Sequence, residues 1–170
     1  MVGASSYSLK TSIQVNRILL HGKGQSMIYQ KLNSTDVPQL FHLMQQYKKS
    51  IGEPDLSPEQ TAKLKSAIAQ SKIQFYVVKH NDELIAMCSV SIVFSTYLCA
   101  KNGIFEDFFV SENYRHKGVA RGLTSYVFED MRVNDVVSVW IGCADIDVEM
   151  YKSLGFRIPL GNLLTWSSQE

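Results

Sequence analysis

Apolar and polar residues change rhythm several times along this chain, and each change marks an element. Residues 27–32 read as a short strand opened by Met27. Asn33, Ser34, Thr35 and Asp36 form a cluster of helix-capping residues, and Pro38 falls in what would be a first helical turn. Leu40, Phe41, Leu43, Met44 and Tyr47 then recur at helical spacing, until Gly52 and Pro54 end the helix. Ser57-Pro58-Glu59-Gln60 is a capping box, with Pro58 at the first helical position. Leu64, Ala67 and Ile68 supply the buried stripe of this second helix.

The period then shortens. Residues 73–79 and 84–94 are strand-like around a polar turn at 80–83, which predicts an antiparallel hairpin. Residues 104–110 make another strand. Val119, Leu123, Val127 and Met131 step by four, the face of a helix packed on a sheet. Residues 136–141 are the next strand, 148–154 a short helix closed by Gly155, and 160–166 a last strand. A strand, a helix and a strand make a right-handed crossover, so 104–110 and 136–141 should be parallel neighbours. The expected order is β-α-α-β-β-β-α-β-α-β, an α/β fold: one mixed sheet with helices on both faces.

Composition narrows the function. A chain of 170 residues supports one domain with a sizeable core. Net charge is +1, so nothing global points to nucleic acid or an anionic membrane, and no apolar run reaches the roughly 18–20 residues of a bilayer span. Cys88, Cys99 and Cys143 are odd in number and widely spaced, which fits a reducing cytoplasm better than a disulfide framework or a zinc site. The four histidines have no metal-site spacing, so no metal is expected. Residues 1–26 carry Lys10, Arg17, His21 and Lys23 but no acid. They are set apart as an extension, to be read as a transit peptide, an upstream start before Met27, or a segment packed on the domain. Residues 27–170 form the domain proper.

The most informative stretch is Val110-Ser-Glu-Asn-Tyr-Arg115-His116-Lys117-Gly118-Val119-Ala120-Arg121. A strand ends, a polar turn follows, and a helix opens at Gly118. The N–H groups and partial positive charge of a helix start attract anions. Gly118 lets backbone approach a ligand and Ala120 leaves room, while Arg115, His116, Lys117 and Arg121 add positive side chains. A phosphate or pyrophosphate is the physical target. A plain basic helix start is the bland alternative. The stretch is neither a Walker loop nor a dinucleotide fingerprint.

Arg115-x-x-Gly118-x-Ala120 resembles the [QR]-x-x-G-x-[GA] signature of the GNAT superfamily of acyl-CoA-dependent N-acetyltransferases, and it follows a strand ending Phe108-Phe109-Val110. Tyr151-Lys-Ser-Leu-Gly155-Phe156 is similar to the superfamily's Y-x-x-x-G-F, and the Trp140-Ile141 strand matches in place. The resemblance implies acetyl-CoA as co-substrate, with its pyrophosphate on the N–H groups of His116, Lys117, Gly118, Val119, Ala120 and Arg121. It implies pantetheine lying along Phe108, Phe109 and Val110 like an added strand, where two parallel strands splay. Backbone N–H near Val110 would hold the oxyanion.

Acyl transfer to an amine needs a neutral amine, a stabilised oxyanion and a protonated leaving thiolate. Tyr151 is the expected general acid, against the alternative of a core tyrosine. Glu106 is expected either to take the amine's proton or to bind the ammonium as a rim carboxylate. Strand alternation puts Glu106, Phe108 and Val110 on one face and Asp107 on the other, where Asp107 is read as structural. Asp145, Asp147 and Glu149 form an acidic cluster where related sequences often carry a glycine near position 147. The acceptor is expected to be a primary amine, on a small molecule in preference to a protein, with no nucleic-acid or membrane partner and a homodimer left open. The rival function is a non-catalytic acyl-CoA-binding or interaction domain on the same fold.

Overall fold

The computed structural model describes residues 17–21 and 25–161. They run β1 (Arg17–His21), β2 (Gln25–Lys31), α1 (Val37–Ser50), α2 (Pro58–Ala69), β3 (Gln74–His80), β4 (Glu83–Ser95), β5 (Ala100–Val110), α3 (Val119–Val133), β6 (Val136–Trp140) and α4 (Val148–Leu154). Short 3-10 turns lead into α1, follow β5 and precede α4. The six strands lie in one sheet in sequence order, all neighbours antiparallel except the parallel pair β5–β6.

Most expected elements form within a residue or two of their sequence signals. Ser57 accepts from the Gln60 amide and Gln60 reaches back to the Ser57 amide, so the capping box is complete. The β3–β4 turn rests on Asn81 and Asp82, with φ of 49° and 62°. Two consecutive left-handed residues match the twist of a hairpin, and Asn and Asp tolerate them.

Two outer elements differ from expectation. β1 lies within the segment set apart as an extension and pairs with β2 from Arg17↔Tyr29 to His21↔Gln25. Of the strand expected at 160–166, Leu160 and Gly161 are irregular, and the rest lies outside the described residues.

The sheet separates two apolar clusters, one against α3 and one against α1. Tyr29, Tyr76, Ile85, Phe105, Leu123 and Val127 belong to the first, and Leu40, Leu43, Phe75, Val77, Met87 and Phe109 to the second. α2 packs more lightly, for Leu64 and Ile68 are only half-buried. Polar ties fix the helices over the strands. Lys79 lies 2.9 Å from the buried Asp36 carboxylate at the head of α1. Asp130 of α3 accepts from Tyr76 Oη of β3 and pairs with Lys31 of β2 at 2.8 Å.

Candidate active site

β5 is the axis of the site. β6 pairs with it only from Lys101 to Ile104. From Phe105 to Val110 the sequence keeps its strand while β6 has ended, so one edge of β5 has no neighbour among the described strands. Strand edges carry alternating N–H and C=O groups that accept an extended ligand. The resemblance places its splay here, beside Phe108, Phe109 and Val110, where the described β6 has ended.

A bulge reorganises this end of β5. The register with β4 jumps between Met87↔Phe109 and Ser89↔Glu106, and Asp107 has φ of 53°. One extra residue on β5 resets which face each side chain takes. Phe105, Phe108 and Val110 pack with the α3 cluster, whereas Phe109 packs with the α1 cluster. The alternation expected for Glu106, Phe108 and Val110 is therefore broken by the inserted Asp107. Asp107 lies on the α1 side, where it lines an open cleft of about 650 Å³ with Tyr47 and Lys48.

The cleft's acids are electrostatically strained. Ser89 Oγ donates to Asp107 at 3.2 Å. Burial raises the Asp107 carboxyl above the ordinary range, against the opposing effects of that hydrogen bond and of Lys48. Partial burial raises Glu106 as well, and the neighbouring Asp107 charge adds to it. Tyr47 is raised by burial and then by both carboxylates, which places its phenol close to them. Its ring lies 6.0 Å from that of Phe109. Two adjacent carboxylates that resist joint ionisation, one of them lining the cleft, are suited to holding or moving a proton.

Beyond β5 the loop turns sharply. His116 and Gly118 have φ of 59° and 78°, and Gly118 is the N-cap of α3 with no side chain closing the helix start. The amides of Val119, Ala120 and Arg121 therefore open a 15-residue helix without intrahelical acceptors. This arrangement fits a pyrophosphate: backbone donors converge where no Cβ intrudes at Gly118. Arg115 also has a structural tie. Its Nε donates to Val110 O at 3.0 Å, and its guanidinium lies 5.7 Å from the Phe109 ring centre. It braces the loop against the end of β5.

Tyr151 reaches the splay from the other side. α4 presents it to Phe108 at 6.0 Å and to Phe156 at 5.9 Å, ring centre to ring centre. The Tyr-x-x-x-Gly-Phe spacing has a physical basis. Gly155 closes α4 with φ of 116°, and a Cβ there would come within 2.9 Å of Phe128. The amide of Phe156 bonds back to Tyr151 O at 3.1 Å, which returns Phe156 under the Tyr151 ring. Burial, then the charges of Asp147 and Tyr47, push the Tyr151 phenol above its ordinary value. It stays protonated throughout the working pH range. Of the acidic cluster, Asp147 is the member whose charge bears on Tyr151.

The structure thus brings Glu106, Phe108, Phe109, Val110, the 115–121 loop and Tyr151 to one end of β5. It also adds Tyr47, Lys48, Ser89 and Asp107. The sequence signal for these was poor: Tyr47 reads as part of an apolar stripe, and the bulge carries no glycine. Among the described residues no group of three or more His, Cys, Asp or Glu side chains could hold a metal, and no helix is long and apolar enough to cross a membrane.

A family model described as "Acetyltransferase (GNAT) family" matches residues 37–156. Among curated proteins none matches the sequence. Solved structures share the fold at low identity. A probable acetyltransferase has 19% identity and a TM-score of 0.75, covering 84% of this chain and 99% of its own. A predicted acetyltransferase from Clostridium acetobutylicum, solved with acetyl-CoA, has 18% identity and a TM-score of 0.69 over 82% and 95% of the two chains. An aminoglycoside acetyltransferase from an uncultured soil metagenomic sample, in complex with sisomicin, has 12% identity and a TM-score of 0.74 over 85% and 97%.

Proposed function

The chain belongs to the GNAT acetyltransferase family, and from that premise we propose that it moves an acetyl group from acetyl-CoA to a primary amine. Transfer is by direct attack while both substrates are bound. The observation that carries the proposal is the edge of β5 at 105–110, unpaired among the described strands, between the Gly118-capped start of α3 and the half-buried Tyr151. The solved relative holding acetyl-CoA supports the choice of co-substrate.

Acetyl-CoA supplies the thioester; the chain's own residues do the rest. The free edge of β5 orients the pantetheine as an added strand, and the N–H groups from His116 to Arg121 hold the pyrophosphate. The amine enters through the cleft on the α1 side. Glu106 takes its proton, with Asp107 alongside as the more buried carboxylate. The nitrogen lone pair forms the new C–N bond, the C–S bond breaks, and sulfur leaves as thiolate. Tyr151 donates to that sulfur. The burial that raises its phenol also penalises a thiolate beside it, which raises the thiolate's demand for a proton. The site needs no covalent enzyme intermediate, and Cys143 has no assigned role.

The test is thiol release on mixing the protein with acetyl-CoA and a panel of primary amines, with mass spectrometry of the product amide. Release that requires both substrates supports the proposal. Saturable acetyl-CoA binding with no amine-dependent release would make the chain an acyl-CoA-binding module.

A further inference from the structure

The acceptor cleft has a composition that selects among amines. Met44, Tyr47, Ile51, Leu56, Leu64 and Ala67 form most of its wall, from the end of α1 across to α2. Its volume of about 650 Å³ suits a small molecule. Besides Asp107 it carries Lys48, Glu53, Gln60 and Lys63, and both lysines face acids. Lys48 lies 4.0 Å from Glu53 and also lowers Asp107, while Lys63 lies 2.7 Å from Glu59.

A polyamine or aminoglycoside would require several acids spaced along the wall. A phosphorylated amino sugar would require cations not already matched by acids. A polyhydroxylated body would leave hydroxyls facing aliphatic carbon without partners, which costs more than it gains. Asp107 closes one end of the wall, Glu53 lies on it opposite Lys48, and most of the other lining is apolar.

We propose that the acceptor is a primary monoamine with an apolar alkyl or aryl body. Its nitrogen sits at the Asp107 end, and its body lies against the α1–α2 wall. This rests on the acetyltransferase reading and names the substrate class for that site. The wall then acts as a ruler: each methylene that leaves water for it strengthens the transition-state complex, while extra charges or hydroxyls weaken it.

The experiment measures kcat/KM for CoA release with n-propylamine, n-butylamine, n-hexylamine and n-octylamine, beside spermidine and glucosamine. Full burial of a methylene corresponds to about fourfold in affinity, so a half-open cleft should give about two- to fourfold per carbon. Octylamine should exceed spermidine and glucosamine by at least about tenfold. Ile51→Ser and Leu64→Ser should flatten the chain-length slope, with far-UV circular dichroism and acetyl-CoA affinity reporting the fold. Ile51 is half-exposed, so its variant keeps the test alive if Leu64→Ser fails to fold. A flat series, or faster turnover of spermidine or glucosamine, overturns the substrate class while leaving the transferase intact. No release with any amine overturns both.

Discussion

Gly122→Ala sets two physical effects against each other. Gly122 lies inside α3, where replacing glycine by alanine ordinarily gains about 0.8–1.0 kcal/mol of helix propensity. Here a Cβ would press onto Tyr29 Oη and stand 2.5 Å from Cζ and 2.6 Å from Cε1. Tyr29 is fully buried between the sheet and α3, so the ring has no empty space to enter. Overlap of about 1 Å with three ring atoms belongs near the upper end of overpacking costs, about 1–3 kcal/mol. The clash wins, for a net loss of about 1–2 kcal/mol, or a Tm lower by about 2–8 °C for a chain of this size. The consequence reaches function, because a helix pushed off β2 carries the 115–121 loop with it, and acetyl-CoA should bind more weakly. Thermal unfolding and calorimetry measure both effects. Adding Tyr29→Leu should make the pair less than additive, since it removes the atoms that clash. An unchanged or raised Tm in Gly122→Ala, or strict additivity, would refute the packing argument.

Tyr151→Phe should lower the single-turnover rate by about 100- to 10,000-fold, the usual range for general acid catalysis, while acetyl-CoA Kd moves less than about tenfold. A normal chemical step in the folded variant would assign proton delivery to water. Glu106→Gln should depress the rate and remove or displace the acidic limb of its pH profile. Because burial and Asp107 raise Glu106, that limb should lie above the ordinary carboxylate range and fall as pH drops through it. A chain beginning at Met27 loses β1 and the first two residues of β2, and among the described strands β1 pairs with β2 alone, at the far side of the sheet from β5. It should bind acetyl-CoA with unchanged affinity at a lower Tm, and loss of binding would move the domain boundary upstream.

Local rules made much of the site legible. The capping box at Ser57, the Asn81–Asp82 turn, the helix start at Gly118 and the stop at Gly155 each depend on neighbours in sequence. The chain announces them because one residue type fits each backbone need. The 115–121 and 151–156 motifs were legible for the same reason. The bulge was not. Asp107 adopts φ of 53° without being glycine, and a period-two pattern gives no warning of one inserted residue that exchanges faces. Tyr47 and Lys48 were hidden for another reason. They stand on α1, and only tertiary packing brings them to the end of β5. Arg115 shows a third limit: its charge was visible, but its hydrogen bond to Val110 O depends on a turn that the sequence does not dictate.

The most direct test of the central claim is calorimetric titration of acetyl-CoA into the native protein and into Gly118→Glu. The account predicts one saturable site in the native protein and none detectable in the variant, with native far-UV circular dichroism. The substitution sets a carboxylate, on a residue held at φ of 78°, where the pyrophosphate would lie. Absence of binding to the native protein, or equal affinity in a folded Gly118→Glu variant, would contradict it.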